Sequence, residues 1–168
     1  MLGKKRELSM IRPPSIILSL AVLIMYCVIS ATQARSQDEM AWRIDTQGNL
    51  TIHTDRITGE PIFIPLEVGG KRMEILAVRA GDDKVRVAFN TCQVCSGAPR
   101  AYFAPQDGGI VCQNCGNFFP FEQVGSTAHG CNPLAVPGVE AKTSGDITIP
   151  VAVLTAHVGA FRNWKRGL

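Results

Sequence analysis

The chain has 168 residues, 46% of them hydrophobic, which is room for one ordinary domain with a core plus a targeting segment. Its net charge of +3 sits at the amino terminus, and after Ala34 the 13 basic residues are balanced by 13 acidic ones. A neutral body offers no basic face, so no nucleic-acid partner is expected.

Lys4, Lys5, Arg6 and Arg12 precede Pro13-Pro14, and Ser15 to Ala31 then runs 17 residues without a charge. A basic flank, an apolar run and small residues (Thr32, Ala34) form a secretory signal pattern, and 17 residues is also the lower limit for a membrane-spanning helix. Residues 1–34 therefore read as a cleaved signal or as one amino-terminal apolar helix that anchors the protein. Either way the positive flank stays in the cytoplasm and the rest is delivered outside. The expected location is the extracytoplasmic face of the cell membrane, or the periplasm or exterior if the signal is cut. Lys5-Arg6-Glu7-Leu8 resembles a twin-arginine signal with Lys in place of the first Arg. Cys27, inside the apolar run, reads as a small hydrophobe.

A polar linker over Ala34 to Glu39 leads into residues 35–59, read as linker and first strands, with Leu50 and Ile52 alternating against Thr51 and His53. From residue 60 to 168 the chain reads as one cysteine-rich domain. Pro61 to Val68 places Ile62, Ile64 and Leu66 on one face, and Gly69-Gly70 has the composition of a tight hairpin turn. The returning arm, Arg72 to Arg79, places Met73, Ile75 and Ala77 on one side. After Gly81-Asp82-Asp83, the stretch Lys84 to Asn90 alternates Val85, Val87 and Phe89 and runs straight into Cys92. A second hairpin around Asp107-Gly108-Gly109 joins Ala101-Tyr102-Phe103 to Ile110-Val111, whose end is Cys112. Asp146 to Leu154 reads as one more strand broken by Pro150, either an edge strand or a strand running into a short helix. Phe161 to Lys165 offers an aromatic plug. The expected fold is mostly β, a small meander or ribbon-type domain with a cysteine-rich metal-binding loop region, preceded by the apolar amino-terminal helix.

Five of the six cysteines lie between Thr91 and Val136. Cys92 and Cys95 form one Cys-x-x-Cys pair, Cys112 and Cys115 a second, with 16 residues between the pairs. Two tight turns at that spacing can each aim two thiolates at one centre, which assembles a tetrahedral four-sulfur site from distant loops. Thiolates are soft ligands that suit zinc, iron-sulfur clusters or copper(I). Ser96-Gly97 and Gly116-Asn117 follow the pairs and free backbone amides to hydrogen-bond sulfur. Cys131, separated from Cys115 by 15 residues, reads as a ligand, a group beside the site, or a buried small residue. His129 is an imidazole candidate in the same polar loop, whereas His53 and His157 read as structural. Disulfides are the competing use in an oxidising compartment, but five cysteines outside the apolar run cannot all pair within the chain. Two Cys-x-x-Cys units would also suit a thiol-disulfide oxidoreductase, except that no amphipathic helix follows Cys95 or Cys115. No general base, nucleophile triad or phosphate loop is visible, so the protein does not read as an enzyme by itself.

Ile64 to Val68, Val85 to Phe89 leading to CQVC, then GGIVCQNCGNFFPFEQVG and GCNPL, together resemble the membrane iron-sulfur FtrD-like domain of bacteria. The resemblance runs from about Glu60 to about Leu154, carried by the order CxxC, CxxCGxxFP, GCNP. It implies an extracytoplasmic, membrane-associated domain with a cysteine-held iron-sulfur cluster that passes electrons during iron transport. The implied partner is an iron permease or another membrane redox component. By position, Cys92, Cys95, Cys112, Cys115 and Cys131 match the family's cysteines. Longer members carry the domain behind several membrane helices, where this chain has at most one.

Overall fold

The computed structural model describes residues 41–126 and 130–167. The apolar segment, Cys27 and His129 lie outside the described residues. Among the described residues ten strands form three antiparallel sheets. β1 (Trp42–Ile44), β2 (Leu50–His53) and β10 (Asp146–Ile149) make the first, with β2 in the middle. β3 (Ile62–Val68), β4 (Lys71–Arg79), β5 (Val85–Cys92) and β9 (Pro133–Ala135) follow one another across the second. β6 (Phe103–Gln106), β7 (Gly109–Cys112) and β8 (Phe118–Pro120) make the third. Among the described residues no helix is long and apolar enough to cross a membrane.

The second sheet is the meander expected from alternation. Gly69 and Gly70 turn it with φ of +56° and +72°, and Val68 pairs with Lys71 across the turn. Left-handed backbone at both central positions is what a two-residue hairpin with right-handed strand twist requires. Pro65 sits in β3, an edge strand, where the missing N–H breaks no ladder. Pro150 ends β10, also an edge, and caps the short helix α1 (Val151–His157), so the strand does run into a helix.

The middle strands bury both faces, which alternation alone did not foretell. Met73, Ile75, Ala77, Val85, Val87 and Phe89 join the larger core under the first sheet, α1 and Phe161. The opposite faces, Leu76, Val78 and Ala88, join a second core with Phe103, Ile110 and Phe119 from the third sheet, and Cys92 and Cys112 belong to it. Residues before 60 are part of the same body, since β2 pairs with β10 in register Ile52 to Ile147. The tail does more than plug. Trp164 Nε1 donates to the Asn90 carbonyl at 2.8 Å, and Lys165 Nζ pairs with the buried Glu74 at 3.0 Å.

Candidate metal centre

Cys92 is the last residue of β5 and Cys112 the last of β7, so each pair of cysteines begins on a rigid strand and continues into a turn. Neither pair starts a helix. Two adjacent carbonyls stitch the turns together. Cys92 N–H donates to the Ala101 carbonyl at 3.0 Å, and Gln113 N–H donates to the Tyr102 carbonyl at 2.8 Å. Phe103, the next residue, pairs with Cys112 across the β6–β7 hairpin. Ala101 to Phe103 thereby fixes the distance between the two first cysteines.

Each turn folds its amides back on sulfur. Cys95 N–H donates to Cys92 Sγ at 3.5 Å, and the amide of Val94 serves the same sulfur. In the second turn the amides of Asn114 and Cys115 serve Cys112, and that of Asn117 serves Cys115. Gly116 has φ of +75° and donates its N–H to the Cys112 carbonyl at 2.8 Å. A side chain there would meet nothing within 4 Å, so the demand for glycine is conformational. Gly97 has φ of +92°, and a Cβ there would also collide with the Arg162 guanidinium.

The Sγ atoms of Cys92, Cys95, Cys112 and Cys115 lie within 4.8 Å of one another. Cys131 is brought alongside by β9. Gln93 N–H donates to the Asn132 carbonyl at 2.9 Å, and Cys92 pairs with Pro133, so the residue before Asn132 falls at the site. Its thiol shares hydrogen bonds with Cys115 and Cys92. The structure thus gathers four thiols with Cys131 as a fifth in contact with them. The signal for this fifth thiol is the GCNP turn itself, which starts the strand beside Cys92.

The site is graded from core to surface. Cys92 and Cys112 are 0% and 1% exposed, Cys95 and Cys131 are half-buried, and Cys115 is exposed. Burial pushes the Cys92 and Cys112 thiols up, because an unpaired thiolate loses its water there. Cys131 is pushed up to about 11, first by its hydrogen bond with Cys115 and then by burial. Cys115 moves down, chiefly because the Asn117 amide stabilises its thiolate. Val94, 65% exposed, and Phe118, 42% exposed, rim the two turns with apolar surface. His53 hydrogen-bonds Asp146 at 3.0 Å, and His157 bonds the Val153 carbonyl and stacks on Phe89, so both serve the frame.

The donor set suits a soft metal. It consists of thiols alone, with backbone amides placed to share the negative charge that four thiolates would bring. Cys92, Cys95, Cys112 and Cys115 could hold the metal, with Cys131 in contact.

The scaffold behind the site was not anticipated from the sequence. Asn163 Nδ2 donates to the Gly97 carbonyl at 2.9 Å, and Lys165 N–H donates to the Pro99 carbonyl at 2.8 Å, so the carboxyl-terminal segment grips the loop after Cys95. Asn90, two residues before Cys92, accepts the Phe103 N–H at 2.8 Å and donates to Glu74 at 2.6 Å. No short motif announces either contact, since each joins positions far apart in the chain.

No curated protein and no solved structure matches the chain. Residues 57–161 match the family described as membrane iron-sulfur containing protein FtrD-like. The match spans every strand from β3 to β10 and all five cysteines of the site. With its ordered cysteine pairs at the ends of two strands, this chain belongs to the FtrD-like family of membrane iron-sulfur containing proteins.

Proposed function

We propose that the protein is an extracytoplasmic, membrane-associated electron carrier of a bacterial iron-uptake system, its cysteines holding an iron-sulfur centre. The observation that carries this reading is the convergence of four thiols that runs from a buried floor to an exposed rim. Thiolate-bound iron supplies one-electron redox chemistry when present. The chain supplies the rest. Cys92 and Cys112 set the inner ligands in a core that excludes water, and the turn amides balance the charge on sulfur. Cys115 puts one sulfur at the surface, where an electron can enter or leave. Val94 and Phe118 give that surface an apolar rim suited to brief contact with a partner, here an iron permease or other membrane redox component. The amino-terminal apolar segment would hold the domain at the outer face of the membrane.

The family description and the thiol-only donor set support this function, and metal analysis with redox titration tests it. Anaerobically purified protein should contain iron, show charge-transfer absorption and cycle reversibly with a one-electron reductant. Protein free of iron under those conditions would overturn the reading. A second reading is favoured by the closed set of four thiols, which alone completes a structural zinc site or a copper(I) site. One zinc per chain with no redox response would select it. A thiol-disulfide oxidoreductase is the weaker third reading, since both pairs lie in turns, away from any helix amino terminus.

A further inference from the structure

We infer that the centre is built for a single metal ion bound by Cys92, Cys95, Cys112 and Cys115, and that it has no place for a sulfide-bridged cluster. This rests on the proposed thiolate-held metal centre and specifies its nuclearity. A metal–thiolate bond of about 2.3 Å puts the corners of a tetrahedral four-sulfur site about 3.8 Å apart. Two tetrahedra of the same bond length sharing an edge of sulfides place thiolates on different irons about 5.3 Å apart at the nearest and about 6.5 Å at the farthest. The four Sγ atoms all lie within 4.8 Å of one another, below even the shorter of those separations. Closing on one ion asks for a contraction of at most about 1 Å, within the reach of side-chain torsions.

Opening to a bridged cluster is a different matter, because the two turns are tied. Cys92 and Gln113 donate to the consecutive carbonyls of Ala101 and Tyr102, and Cys112 pairs with Phe103 in the next position. Cys92 is also paired with Pro133, and both inner cysteines pack among Leu76, Ala88, Phe103 and Ile110. Moving the pairs apart would break the stitches or open the core. Four thiolates complete a single-ion shell, which leaves Cys131 outside it as the hydrogen-bond partner of Cys115 and Cys92. A single ion also suits a protein delivered across a membrane, since it needs only the ion and no supply of sulfide.

The test uses the full chain, purified anaerobically, with iron, zinc and acid-labile sulfide measured per chain. The metal-free chain is then reconstituted with Fe(II) alone and, separately, with Co(II) alone. One ion per chain, no acid-labile sulfide, full occupancy without added sulfide and tetrahedral tetrathiolate bands for Co(II) are expected. Two or more irons with matching sulfide would overturn the single-ion assignment while leaving the electron-carrier reading standing. One zinc per chain and no iron would do the reverse, sinking the electron carrier and sustaining the single ion. A chain that takes up no metal under any of these conditions would sink both. Cys131→Ser should keep one ion per chain, whereas Cys92→Ser and Cys112→Ser should lose it. Equal loss in Cys131→Ser would overturn the ligand set.

Discussion

Replacing Trp164 by Phe should weaken the domain from a position the family match does not reach, since that match ends at residue 161. The indole is 7% exposed, and its N–H donates to the Asn90 carbonyl at 2.8 Å. Asn90 lies where the pairing of β5 with β9 shifts register between Phe89 and Cys92, so this stretch depends on side chains for support. Removing the donor leaves a buried carbonyl unpaired, at a cost of about 1–3 kcal/mol. The smaller ring loses packing against Phe161 and Tyr102, whose centroids lie 5.5 and 6.5 Å away, at about 1 kcal/mol more. Lys165, its ammonium 4.4 Å from the ring centroid, keeps an aromatic face beneath it, so that contact is weakened rather than lost. The total of about 2–4 kcal/mol lowers the thermal midpoint by roughly 10 °C for a domain of this size. Calorimetry of wild type and variant at one fixed metal concentration measures it, because bound metal itself shifts the midpoint. Hydrogen exchange should show the loss concentrated in the amides from Asn90 to Cys92. A midpoint within 2 °C of wild type would refute the claim that Trp164 supports the strand end carrying Cys92.

Asn163→Ala removes the bond to the Gly97 carbonyl and should cost only about 1 kcal/mol of stability, yet speed the transfer of metal to a competing chelator, followed by absorbance. Gly116→Ala forces a side chain into left-handed backbone with open space around it. Its cost of about 1–2 kcal/mol should appear in weaker metal binding in a competition titration. Acid stability should depend on Asp82, whose carboxylate binds both terminal nitrogens of Arg86 at 2.6 and 2.7 Å and is held at about 2 rather than 3.8 by those hydrogen bonds. Because the folded value is the lower one, the contribution is complete above about pH 4 and fades as pH falls through 2. Asp82→Asn should therefore lower the neutral-pH midpoint slightly, as fits an exposed ion pair, and flatten the loss of stability between pH 4 and pH 2 so that the variant converges with wild type in acid, both measured by thermal melts.

What the sequence disclosed is what depends on neighbours in the chain. Strand alternation located β3 to β5, the paired glycines located their turn, and Pro150 marked where β10 gives way to α1. The cysteine spacing disclosed four converging sulfurs, because a two-residue gap inside a tight turn determines where a thiol points. The second face of β4 was hidden, since Glu74, Leu76 and Val78 are buried by a sheet that begins at Phe103, and no local period encodes a distant cover. β1, β8 and β9 are three residues each, too short to show a period at all.

The fifth cysteine shows how local and distant signals divide the work at this site. As an odd thiol it was legible by counting, but its position follows from β9 pairing with β5 across some forty residues. That pairing sets Cys131 between the two ends of the site, half-buried and hydrogen-bonded to both the exposed Cys115 and the buried Cys92. Half-buried, that sulfur is still reachable by solvent. The inner pair, Cys92 and Cys112, is held by strand ends, carbonyl stitches and core packing, so the site can exchange contacts at its rim while its floor stays fixed.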